Sequence, residues 1–79
     1  MPEYVFPAHL LDLQRQLHAV RAELRAAAAD PETWAERYEE LMARERDLGA
    51  RIRADEYWET AGSSTAARFA LAEQARGDG

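Results

Sequence analysis

Residues 26–34 read AAAADPETW, and what the chain does at Asp30-Pro31 decides the fold. Asp is a favoured helix N-cap and Pro a favoured first helical residue. Glu32 then puts negative charge where the helix dipole stabilises it. The same Pro inside a continuous helix costs about 3 kcal/mol, through a lost hydrogen bond and a clash with residue i−4. The stretch therefore predicts one helix ending near Ala29 and a second starting at Pro31.

Upstream, Leu10, Leu13, Leu17, Val20 and Leu24 recur at a 3-4-3-4 spacing, which makes one apolar stripe on a helix over 8–29. Downstream, Trp34, Tyr38, Leu41, Glu45, Leu48 and Ile52 give the matching stripe over 31–54. Acids crowd the first half of that helix (Glu32, Glu36, Glu39, Glu40). Arginines crowd the second (Arg44, Arg46, Arg51, Arg53), in the order the macrodipole favours. Glu40–Arg44 and Asp47–Arg51 have the spacing of i,i+4 ion pairs.

The two stripes stay in phase across Asp30-Pro31. One reading is a single kinked helix over 8–54 in a coiled-coil dimer, a rod of roughly 70 Å at 1.5 Å per residue. The other is an antiparallel hairpin, which sets Leu24 near Tyr38, Val20 near Leu41, Leu17 near Glu45, Leu13 near Leu48 and Leu10 near Ile52. The cost of an interior Pro favours the hairpin. Gly49, beside the seam, would let the helices approach closely near Leu13.

The ends are shorter. Residues 1–7 (MPEYVFP) form an apolar plug, with Phe6 held extended by Pro7 and Pro7 suited to a first helical turn. Residues 55–62 (DEYWETAG) break the pattern, with Gly62 as a stop. Ser63, Ser64 or Thr65 can cap a third helix over 64–76, and residues 77–79 should fray. The expected architecture is all-α: one small domain over 1–79, a hairpin plus a short C-terminal helix, assembling into a helical bundle. Tyr4–Phe6, Tyr57–Trp58 and Phe69 should gather at its open end.

Composition narrows the function. With 79 residues a single core is marginal. Two helices sharing one thin stripe come out near zero net stability, so self-association is expected, most simply a homodimer that builds a four-helix core. The absence of Cys excludes disulfides, thiol catalysis and Cys-bearing zinc sites. The chain has ten Arg and no Lys, which fits a GC-rich coding sequence better than phosphate chemistry. Its net charge of −5 argues against direct nucleic-acid binding. No stretch approaches the ~18 apolar residues of a membrane span, and no basic region precedes an apolar run as in a signal peptide.

Each candidate site has an ordinary explanation beside it. Glu45 interrupts an apolar seam; it either fixes register or meets a partner's Arg, or it reaches solvent or pairs with His18 or Arg21 across the hairpin. His9 and Asp12 share a helix face, yet no His-x3-His or Glu-x-x-His spacing supports a metal. Arg44, Arg46, Arg51 and Arg53 are interleaved with acids and read as a solvated, ion-paired face. Trp34 and Tyr38 suit core packing. Tyr57 and Trp58 are adjacent, so one of them is a candidate for exposure to a partner. Ser63, Ser64 and Thr65 have no His in their half of the chain, and no phosphate loop or hydrolase motif occurs. No catalytic, cofactor or metal residues are assigned. The interface candidates are Leu10, Leu13, Leu17, Trp34, Tyr38, Glu45, Tyr57, Trp58 and Phe69.

The stretches FPAHLLDLQRQLH (6–18), YWET (57–60) and AARFALAEQAR (66–76) resemble small helical proteins encoded by Streptomyces and related actinobacteria, for which no function is established. The resemblance implies a bacterial, cytoplasmic setting and assigns no site residues. The function expected is a non-enzymatic protein–protein interaction module. The alternative is a small transcription regulator or antitoxin-like component acting with a DNA-binding partner.

Overall fold

The computed structural model describes residues 5–61 and 65–77. Its order is α1 (Ala8–Ala28), α2 (Pro31–Arg53), α3 (Tyr57–Ala61) and α4 (Thr65–Gly77). The chain turns back at Asp30-Pro31. The Ala29 and Asp30 amides donate to Ala26 and Ala27 carbonyls, closing α1. Asp30 Oδ1 then accepts from the Glu32 amide at 3.1 Å while Pro31 fills the first helical position. α1 and α2 pack against each other along their length, and the longest dimension is 46 Å. That length excludes the rod of the continuous-helix reading, so the fold is the helical hairpin.

The core gathers Leu10, Leu17 and Val20 of α1 with Leu41, Leu48 and Ile52 of α2. α4 adds Ala67 and Leu71, spaced i,i+4 on one face, and lies along α1. Because α1 serves two neighbours, its buried face turns away from the simple seam. Gln14 is buried, 7% exposed, while Leu13 is only half-buried. Sequence periodicity assigned that place to Leu13 because it counted one partner helix instead of two.

The start of the chain is divided. Phe6 enters the core, whereas Val5 is 82% exposed. Successive side chains of an extended segment point to opposite sides, so the two cannot both insert. Pro7 sits one position before the first helical turn, with φ −60 and ψ 149, and its carbonyl accepts from Leu10 and Leu11. Tyr4, Gly62, Ser63, Ser64, Asp78 and Gly79, assigned above to the plug, the stop, a cap and the frayed end, lie outside the described residues.

Residues 57–61, read from the sequence as a break, form the short helix α3. Asp55 Oδ1 accepts from the Tyr57 amide at 2.9 Å, which starts it. Trp58 is buried and its indole Nε1 donates to the Ile52 carbonyl at 2.6 Å, at the end of α2. Phe6, Tyr57 and Trp58 meet at the open end, with Phe6 centroids 5.2 Å from Tyr57 and 6.3 Å from Trp58. The adjacent pair is split, and Tyr57 is the one of the two that keeps some exposure. Phe6 touches both rings, leaving Tyr57 half-buried and Trp58 buried. Phe69 does not join them; it is 67% exposed.

Gly49 does not serve a close helix approach. A Cβ built there would meet the Arg53 guanidinium at 3.2 Å and no atom of α1. Among the described residues no helix is long and apolar enough to cross a membrane.

Candidate interaction groove

α1 forms a floor on which α2 and α4 stand as walls. Leu17, Ile52 and Leu71 line the bottom of the groove between them, which encloses about 320 Å³. Arg21, Arg53 and Arg68 stand around it, and Phe69 lies at its edge. A second cleft of about 520 Å³ continues along α1 and α4, bounded by His18, Arg21, Arg25, Ala72 and Arg76. Arg21 and Ala72 border both, so the two form one channel.

Half of the ten arginines converge on this channel, in a chain of net charge −5. Arg21, Arg25 and Arg53 have no ion-pair partner among the described residues. Arg76 pairs with Glu73 at 3.6 Å, both well exposed, and the Arg68 guanidinium lies 6.0 Å from the Trp58 ring centroid. The cluster acts on its neighbour. Burial first, then the charges of Arg76 and Arg21, push the His18 imidazole below its ordinary pKa. The Gln14 amide donates to His18 Nε2 at 3.0 Å, which fits a neutral ring.

Outside the channel Arg51 and Arg44 are matched to acids, whereas Arg37 and Arg46 have no ion-pair partner among the described residues. Arg51 pairs with Asp47 at 3.1 Å, as its spacing suggested. Arg44 turns instead toward Glu23 of α1, 3.7 Å away, so the expected Glu40–Arg44 pair is not made. Glu45 is half-buried in the seam and pairs with neither His18 nor Arg21. His9 and Asp12 do not act together: His9 Nε2 donates to Asp55 Oδ2 at 2.6 Å, while Asp12 accepts from Gln16 at 2.8 Å. The Tyr57 amide holds the Asp55 carboxyl below its usual pKa; burial opposes this and His9 reinforces it. Among the described residues no three His, Cys, Asp or Glu side chains come together to hold a metal.

The interface candidates divide by place. Leu10, Leu17 and Trp58 belong to the chain's own core, although Leu17 also shows in the groove floor. Leu13, Trp34, Glu45 and Tyr57 are half-buried, and Tyr38 and Phe69 are 40% and 67% exposed. The Trp34 and Tyr38 rings meet near the hairpin tip, centroids 4.7 Å apart and tilted by 51°. The structure does not bring that tip to Phe69 within one chain. Among the described residues α4 reaches the cleft bounded by His18 and Arg25, and residues 28–32 at the tip are exposed.

Sequence reasoning missed the arginine channel because it weighed the arginines of α2 alone. A signal was present. Arg21 and Arg25 are like charges at i,i+4, and Arg68, Ala72 and Arg76 share one face of α4 with no acid between them on it.

Residues 9–74 match a family described only as a domain of unknown function, DUF8825, and the chain belongs to that family. It matches no curated protein and no solved structure.

Proposed function

We propose that this chain is a non-enzymatic protein–protein interaction module that self-associates through its helical hairpin, most simply as a homodimer. The observation that carries this reading is the open groove. Two long helices and α4 enclose three sides of a bundle, and the fourth side keeps an apolar floor between arginines. A fourth helix is the natural filling for such a gap. Tyr38 and Phe69 add exposed aromatic surface, the residue type that anchors interfaces. The setting assigned is the cytoplasm of a bacterial cell, on the resemblance carried by residues 6–18, 57–60 and 66–76.

Light scattering on the purified chain, from micromolar concentrations up to about 1 mM, tests this. A mass near twice 8.9 kDa is expected; a strictly monomeric mass contradicts self-association. The second reading, a regulator or antitoxin-like component acting with a DNA-binding partner, is favoured by Arg21, Arg25 and Arg53 of the channel, which have no ion-pair partner among the described residues. Salt-sensitive binding of the chain to duplex DNA would support it.

A further inference from the structure

We infer that the groove between α2 and α4 receives the acid-rich hairpin tip of a second copy of this chain, in a reciprocal, two-fold arrangement. The inference rests on the self-association reading and names its surfaces. Residues 30–40 carry Asp30, Glu32, Glu36, Glu39 and Glu40 against Arg37, a net charge of −4. All five acids are exposed. Tyr38 projects from the same stretch, its ring tilted against that of Trp34. The channel offers the complement: Arg21, Arg25 and Arg53 without ion-pair partners among the described residues, apolar Leu17 and Ile52 beneath, and Phe69 at the edge. One chain thus holds a negative aromatic knob at one end and a positive apolar socket further along.

A chain cannot fill its own socket, because the tip is the far end of the rigid helices that form it. A second copy can. Laid antiparallel, with the axis near His18, each tip lies over the other chain's groove and the contact closes on itself. A phosphate backbone suits this channel less well. Its floor is apolar, and the chain's overall charge of −5 repels a polyanion.

Charge reversal tests the pairing. One variant carries Arg21→Glu and Arg53→Glu; the other carries Glu36→Arg and Glu39→Arg. Circular dichroism checks that both stay helical, which their exposure favours. Sedimentation equilibrium then reads association of the native chain, each variant, and the two variants mixed. Each variant alone should associate at least about tenfold more weakly, and the mixture should recover most of the loss. If both variants associate like the native chain, the tip-to-groove contact is wrong while self-association stands. If the native chain is monomeric at 100-fold dilution and at the highest concentration alike, both readings fall. If the native chain binds duplex DNA and the arginine variant loses that binding, the groove is a nucleic-acid surface and the inference is overturned.

Discussion

Trp58 reaches back six residues to donate its indole N–H to the Ile52 carbonyl at 2.6 Å, tying the last turn of α2 to α3. That carbonyl also accepts from the Asp55 amide at 3.3 Å, so it is not orphaned when the indole is lost. Trp58→Phe should therefore cost about 1–2 kcal/mol, the hydrogen bond plus some packing. Trp58→Ala should cost about 3–5 kcal/mol, because Phe6 and Leu71 lose a buried neighbour in the same cluster. Urea denaturation of both variants checks the order.

Asp55 ends one element and starts the next, capping α3 through the Tyr57 amide while holding His9 of α1. Asp55→Ala should lower stability by about 1 kcal/mol near neutral pH. The effect has a pH signature. The folded carboxyl titrates below its unfolded value, so its stabilisation is complete above about pH 4 and fades as pH falls through the folded pKa. The gap between native chain and variant should narrow in acid, as thermal melts at pH 7 and pH 2.5 would reveal.

Gly49 sits inside α2 with only a flexible guanidinium near the position of a Cβ. Gly49→Ala should stabilise the chain by roughly 0.5–1 kcal/mol through helix propensity. A destabilised variant would mean that α1 approaches Gly49 more closely than described.

How much of this was legible in the sequence follows from the range of the forces involved. The turn at Asp30-Pro31 is local chemistry, a cap and a fixed φ, and it stands where the residues put it. The stripes of α1 and α2 were legible in part: Leu10, Leu17, Val20, Leu41, Leu48 and Ile52 are buried, but Tyr38, read as core, is 40% exposed toward the tip. The burial of Gln14 was not legible, since it depends on α4 lying along α1. Helix α3 spans five residues; its Asp55 cap is local, but Phe6, which packs on both Tyr57 and Trp58, is distant in sequence. The channel was hidden because its arginines come from three helices, each of which looks ordinary alone.

His18 should report on that channel. Its imidazole is expected to titrate below the ordinary value of about 6.5 in an NMR pH series. Arg76→Gln should raise it, but only part of the way, because burial is the larger cause. Since the folded pKa is the lower one, the neutral ring favours the fold above the unfolded value. That contribution is lost as pH falls through the folded pKa. A full return to the ordinary value in Arg76→Gln would mean that charge, not burial, sets the shift.

The most direct measurement is a dilution series of amide chemical shifts on the native chain. Between roughly 1 mM and 10 µM, where a modest homodimer separates, shifts should change at Arg21, Arg53, Arg68 and Phe69 of the groove. They should change in parallel at residues 34–40 of the hairpin tip. Shifts that stay constant across the series, at a mass of one chain, would contradict a self-associating module.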